Sequence, residues 1–349
     1  MKNATKLILT LLLVNTAIFA QEAEIVEEME SAGLQISGSA DIYYKYDFSG
    51  ESNIPTSFAD AQNTVAIGML DIGLSHTTGK VAFVGEFSFG PRSFKSIPTL
   101  RDGSGADRYI NIQNLYMSYS LTDKLTLTGG YMGTFVGYEV ISPAANFNYS
   151  TSYLFTNGPF QNAGLKAEYA FSDQVSLMVG VFNDWNVYED GNGVTDFGAQ
   201  FYLSPTEGWD VYLNYLSGSP SGTVLDLTSG LQITDDFYLG VNAATYSADE
   251  EDAGGYSGVA LYPQYSFTDK VAIGYRGEFF SVKEYEMEGI TIPSESVFSS
   301  TLTLNYYSGP MTFITEVRLD NAENEWFLDG DADPTQSASQ LLFAAVYSF

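Results

Sequence analysis

Between residues 34 and 46 hydrophobic and polar positions alternate: Leu34, Ile36, Gly38, Ala40, Ile42, Tyr44 and Tyr46 share one parity, and Gln35, Ser37, Ser39, Asp41, Tyr43 and Lys45 the other. Successive side chains of a strand point to opposite faces, so this stretch predicts a strand with one apolar and one polar face. The pattern returns at 164–171, where Leu165, Ala167, Tyr169 and Phe171 oppose Lys166, Glu168 and Ala170, and again at 209–216 and 271–280. Polar clusters that feed at once into alternating runs mark turns. They stand at "HTTGKVAF" (76–83), "LTDKLTL" (121–127), "FSDQVSL" (171–177), "SPTEGWDV" (204–211), "ITDDFYL" (233–239), "FTDKVAI" (267–273) and "YSGPMTF" (307–313).

Two strand-like runs joined by a longer polar or glycine-rich connection lie between successive turns. The pattern predicts sixteen strands: 34–46, 65–75, 81–89, 112–121, 124–132, 164–171, 175–182, 195–203, 209–216, 224–233, 237–246, 258–267, 271–280, 298–306, 311–319 and 341–349. Seven tight turns then fall at one end and eight long loops at the other, with both termini on the tight-turn side. Alternation fails near Met69 and Leu70 and at the upper end of 112–121, where β-bulges or loop-packed wall are expected.

A sandwich would show the same period, with its apolar faces packed against each other. Strands of about ten residues, short turns opposite long loops, and aromatics at the turn ends (Phe171, Trp209, Phe237, Phe267, Phe349) favour lipid as the apolar partner. The expected fold is all-β, a 16-stranded antiparallel transmembrane β-barrel with short periplasmic turns and long extracellular loops. Composition agrees: 25 Tyr, 24 Phe and 33 Gly among 349 residues, with 16% charged. Lys2 and Lys6, the apolar "LILTLLLV" (7–14) and "AIFA" before Gln21 predict a signal peptide over 1–20. Residues 21–33 would be a short acidic periplasmic leader and 34–349 the barrel. With no Cys, neither a lipid anchor at the cleavage point nor a disulfide is available. The net charge of −29 opposes binding to nucleic acid.

"ISGSADIYYKYDFSG" (36–50) and "GYMGTFVGYEVISPAANFNYSTSYLF" (130–155) resemble the opening strand and the most distinctive segment of the OmpL-like β-barrel porin family of Gram-negative outer membranes. The resemblance covers 34–349 and implies a porin-like barrel in the cell outer membrane, with little implied about cargo. The ending Tyr347-Ser348-Phe349 is similar to the signal read by barrel-assembly machinery. Partners would be that machinery, outer-membrane lipids and lipopolysaccharide, and small polar solutes.

Assigning each polar face to the lumen collects Asp41, Asp71, Glu86, Glu168, Asp196, Asp210, Asp226, Glu278 and Glu316 against Lys45, Lys166, Arg276 and Arg318. Excess carboxylate in a channel wall favours cations. Pairing within the wall, of the Lys166/Asp196 or Arg318/Glu316 kind, would weaken that preference. The long connection 133–163 is aromatic and poor in charge. Folded into the barrel it would narrow the channel and bring Glu139, Asn146, Asn148 and Tyr149 nearest the solute; as an external cap it would pack on other loops. The single His76 lies beside a tight turn and supports no catalytic triad, so no enzyme activity is expected. "DGDAD" (329–333) spaces carboxylates like a calcium loop, but Pro334 and Gln340 stand where a Gly and a bidentate Glu belong. No metal and no cofactor is expected. The leading function is passive diffusion of small polar solutes with mild cation preference. The alternative is a surface-structural or adhesive barrel that binds partners through acidic loops.

Overall fold

The computed structural model describes residues 33–96, 110–250, 252–287 and 290–349. The expected signal peptide, and the acidic leader but for Gly33, lie outside the described residues. Sixteen antiparallel strands close into a barrel in sequence order. They are β1 (Gln35–Asp47), β2 (Thr64–Thr78), β3 (Val81–Phe89), β4 (Ile110–Thr122), β5 (Leu125–Gly133), β6 (Gln161–Ser172), β7 (Val175–Phe182) and β8 (Asp196–Thr206). The second half comprises β9 (Trp209–Gly218), β10 (Gly222–Gln232), β11 (Phe237–Ser247), β12 (Gly255–Thr268), β13 (Val271–Val282), β14 (Glu295–Ser308), β15 (Met311–Ala322) and β16 (Ser337–Ser348). Every expected strand is present. Most of the extra length lies at the loop ends, where β14 begins at Glu295 and β16 at Ser337.

Seven tight turns occupy one end, six of them two residues long, with Gly79 (φ 55°) and Gly309 (φ 59°) in the left-handed region that a two-residue hairpin favours. The opposite end carries long connections, except at 219–221, where β9 passes to β10 in three residues. Both anticipated irregularities are bulges. On β2 the register shifts between the partners of Ala40 and Ile42, and on β4 between those of Glu86 and Phe87.

The outward parity is exposed and apolar: Ile42, Ile67, Val179, Leu213, Leu261, Leu302 and Val317 form a band. Aromatics border it, with Phe171, Trp209, Phe267, Phe313 and Phe349 toward the turns and Phe197, Tyr215, Phe279 and Phe298 toward the loops. This is the lipid-facing surface of a spanning barrel with its two interfacial girdles. Inward positions are buried and largely polar, as in β1, where Ser39, Asp41, Lys45 and Asp47 are each at most 4% exposed.

The barrel closes where β16 pairs with β1, Tyr347 opposite Ala40 and Phe343 opposite Tyr44. Phe349 extends that seam, exchanging both backbone hydrogen bonds with Gly38 at 3.0 Å, and its ring lies over Gly38, where any Cβ would collide with it. Phe349→Ser removes this ring from the last closing pair, whereas Phe313→Ser removes another exposed girdle ring from an internal strand. The expected outcome is a severalfold loss of heat-modifiable, membrane-inserted barrel for the first and less than a twofold loss for the second. Equal yields would show that Phe349 acts only as a girdle residue.

Candidate functional site

The connection 134–160, between β5 and β6, folds into the barrel and crosses to the far wall. Its aromatic side chains meet wall positions that lack side chains: the Tyr138 ring lies where a Cβ at Gly240 would be, Phe147 likewise at Gly274, and Phe135 at Gly198. Glycine inside a strand often marks such close approach of another group. Residues 153–157 form one helical turn capped by Ser152, whose hydroxyl accepts the Phe155 N–H at 3.0 Å.

Wall carboxylates hold this segment through its backbone. Glu278 accepts the N–H groups of Tyr153 (2.9 Å) and Leu154 (2.8 Å), one on each oxygen. Glu316 accepts those of Tyr149 (2.5 Å) and Ser150 (3.0 Å) in the same manner. Asp226 accepts from Gly137 N–H at 3.0 Å, Asp71 from the Ser142 hydroxyl at 3.0 Å, and Asp41 from the Tyr149 hydroxyl. Two arginines complete the attachment. Arg276 donates to Glu139 at 2.7 Å and to the Ser150 carbonyl, and Arg318 donates to the Thr151 carbonyl at 2.9 Å while paired with Asp320. Glu278, Arg276, Arg318 and Asp320 are fully buried.

The other long connections near it also turn inward. From 48–63, Phe58 packs with Phe155 and Phe160, and Thr56 accepts from Arg318 at 3.2 Å. From the short helix Pro91–Lys95, Arg92 lies between the rings of Phe58 and Tyr149, 4.7 Å from each centroid, and donates to the carbonyls of Ile141 and Tyr149.

The residues expected to line a lumen therefore separate into two groups. Asp41, Asp71, Asp226, Arg276, Glu278, Glu316 and Arg318 are buried against the inserted segment, and Lys45 and Asp196 are buried against nearby loop and wall, with Lys45 donating to Ser52 at 3.1 Å. Glu86, Lys166, Glu168 and Asp210 remain half-exposed on the arc from β3 to β9, among the inward Tyr116, Ser118, Ser176 and Tyr202. There Glu86 accepts from Asn114, Glu168 from Ser176 (3.2 Å) and Asp210 from Tyr202 (2.7 Å).

The loop groups expected to face the solute are instead turned to holding the segment. Glu139 is paired with Arg276 and Ser152, Asn148 donates to Thr303, the Tyr149 hydroxyl meets Asp41, and Asn146 staples its own loop at Val140. Of the two expected ion pairs, Arg318 takes Asp320 rather than Glu316, and Asp196 is the cross-strand partner of Phe182. Asp320 escaped the sequence reading because β15 was expected to stop one residue before it. Its parity, two residues beyond Arg318, was the available signal. Arg92 carried none, since nothing in a loop sequence says which rings will enclose it. His76 sits near the turn end of β2 within reach of Thr78. At 329–333, Asp329 accepts the backbone N–H groups of Asp331 and Asp333, and among the described residues no group of His, Cys, Asp or Glu gathers that could hold a metal ion.

Over residues 33–349 the sequence matches the family described as "Putative beta-barrel porin-2, OmpL-like". No curated protein matches it by sequence. In structure it is similar to an anion-selective porin from Comamonas acidovorans, with TM-score 0.59 over 92% of this chain and 100% of that one at 9% identity. It is also similar to OmpT, an outer membrane protein of Vibrio cholerae (TM-score 0.58, 90% and 97% covered, 11% identity). A third is OmpF of Salmonella typhi in complex with daunomycin (TM-score 0.58, 90% and 97% covered, 13% identity). At such identities the likeness is one of fold.

A glutamine at 278 or 316 keeps one acceptor but turns an NH₂ toward the second backbone N–H. Each exchange thus strands a buried donor, at about 1–3 kcal/mol. The double variant Glu278→Gln/Glu316→Gln should keep the β circular dichroism and heat-modifiability of the barrel while releasing the segment. A protease site placed at 145–148 should be cut at least tenfold faster in that background. Equal cleavage rates would mean that the two carboxylates do not hold the segment.

Proposed function

We propose that this chain, which belongs to the OmpL-like β-barrel porin-2 family of the outer membrane, is a narrow passive channel for small polar solutes with a mild preference for cations. The observation that carries this reading is the division of the interior. The segment 134–160 enters over the loop ends of β7–β10, where Phe135 and Val136 meet Phe182, Gly198 and Leu216, and packs on the arc from β11 through β16 to β1 and β2, while Tyr116, Ser118, Lys166, Glu168, Ser176 and Tyr202, inward and toward the turns on β4–β8, stay half-exposed. Sixteen strands enclose enough width for water beside such a segment.

The cation preference rests on which charges remain near solvent. Most of the acids expected to set it are engaged by backbone amides and arginines. Glu86, Glu168 and Asp210 remain against Lys166. Charges set in a low-dielectric wall act on a passing ion far more than charges on external loops.

The barrel reconstituted in planar bilayers should give discrete conductance steps, and folded protein without steps above background would sink the channel reading. Deleting 143–156 removes most of the obstruction and should raise the conductance severalfold. An unchanged value would place the conducting path elsewhere. Neutralising Glu86, Glu168 and Asp210 together should move the reversal potential in a salt gradient toward anions. The shift should be largest at low salt, where the Debye length reaches ~30 Å at 0.01 M against ~3 Å at 1 M. Neutralising Glu250 and Asp252 on the loop after β11 should move it much less. A reversal potential that follows 250 and 252 but ignores 86, 168 and 210 would overturn the assignment of the passage.

A further inference from the structure

A hollow of about 420 Å³ lies in the outer wall of the barrel, over the closing seam. It originates at the bulge on β2. There Asp41 of β1 faces two residues, Gly68 and Met69, and both are buried, so β2 sends no side chain into the lipid between Ile67 and Leu70. The Asp41 carboxylate fixes this arrangement from inside the barrel, taking the Met69 N–H at 2.9 Å and filling the place of a Cβ at Gly68. On the outer face the neighbouring positions are small, Ala40 on β1 and Ala345 on β16. Gly90, where the chain leaves β3, lies against the backbone of Gly68 and Met69 with no room for a Cβ.

Met311, Tyr347, Ala40, Leu70 and Phe89 form one continuous row of cross-strand partners over β15, β16, β1, β2 and β3. Ala345, Ile42 and Ile67 form the next row toward the loops. Both rows line the hollow, which is therefore a trough across the strands. Four inter-strand spacings of about 4.8 Å make the first row about 19 Å long. The row also climbs. Met311 is the first residue of β15 after its turn, and Phe89 is the last of β3 before its loop.

We infer that this trough holds one acyl chain of a phospholipid from the turn-side leaflet. The inference rests on the outer face alone and is independent of whether the interior conducts. The trough opens onto the band that faces hydrocarbon, and the side chains around it on that face are apolar but for the Tyr347 hydroxyl, so water is not its occupant. Left empty, it would deny its lining the dispersion contacts of a packed surface. A flexible chain can follow a row that climbs across five strands, whereas a side chain projecting from a second copy of the protein would fill one point of it. The two ends set the direction of entry. Tyr347 lies beside Phe349 in the turn-side girdle, their ring centroids 6.1 Å apart, at the level where headgroups sit. At the other end the trough stops at Gly90, where the backbone leaves the wall for the helix Pro91–Lys95.

The full-length barrel is reconstituted in phosphatidylethanolamine vesicles doped with the same lipid carrying a diazirine on one chain, either near the glycerol or at the methyl end. After photolysis, mass spectrometry should find label on the trough residues at least fivefold above that on the outward Phe201 and Leu213 of β8 and β9. The label near the glycerol should fall on Met311 and Tyr347, and the label at the methyl end on Leu70 and Phe89. Ala40→Phe fills the trough and should cut this labelling at least fivefold while the heat-modifiable, inserted barrel is kept. Ala345→Leu, a milder filling, should cut it at least twofold and serves where the phenylalanine lowers insertion. Labelling spread evenly around the outer face, or unchanged in both variants, would overturn the site. The reverse order of the two labels would place the chain in the loop-side leaflet and overturn the assignment. Exclusion of lipid from the trough, together with cross-links between two copies that Ala40→Phe abolishes, would make a second copy the occupant and overturn the inference.

Discussion

In hydrocarbon a backbone N–H or C=O has no water to turn to, so a spanning sheet must leave no edge. The pairing of β16 with β1 meets that requirement, and much of the architecture follows from it. A closed sheet fixes one parity of every strand outward, which is why the apolar band and its aromatic borders run around the barrel. The other parity faces an interior too wide to be filled by wall side chains alone, so it must be either wet or occupied. This barrel does both. Buried aromatics and arginines occupy the side near β12–β16, and half-exposed polar residues line the opposite arc.

What occupies the interior is itself backbone rich, and the requirement recurs at smaller scale. A connection without a ladder carries its own N–H groups into a poorly solvated space, where each needs a partner. Glu278 and Glu316 supply partners in pairs, and Asp226 supplies a further one. The inward carboxylates thus stand in for the neighbouring strand that the segment does not have. Arg276 and Arg318 then balance part of the negative charge so gathered and donate to the segment's carbonyls. An acidic wall therefore does not report ion selectivity directly, because an acid bound to amides of the same chain is lost to the solute.

The strands were legible because a two-residue period and two-residue turns leave a local trace that does not depend on the rest of the chain. Even the bulges left one, as breaks in parity at 65–75 and 112–121. The loop ends of strands were less legible. Beyond the lipid, the outward face no longer has to be apolar, and β14 and β16 continue past the point where alternation stops. The direction taken by 134–160 could not be read, since insertion and capping bury the same aromatics. Its mark lay elsewhere, in Gly198, Gly240 and Gly274, inward positions where a strand gives up a side chain so that Phe135, Tyr138 and Phe147 can approach.

The same glycines constrain how the interior can change. A wall that has lost side chains in favour of a guest has no means of its own to refill the space, so a displaced segment would leave polar strands and bare backbone facing water. Such an interior tolerates hydration far better than an apolar core would, because Thr301, Thr303, Asn305 and Gln340, buried on the same arc, can bond to water as readily as to the loop. The barrel is held by its ladders and by lipid, and neither depends on the segment. Closure of the sheet and occupation of its centre are therefore separate terms in the stability of this protein, and the second can vary without threatening the first.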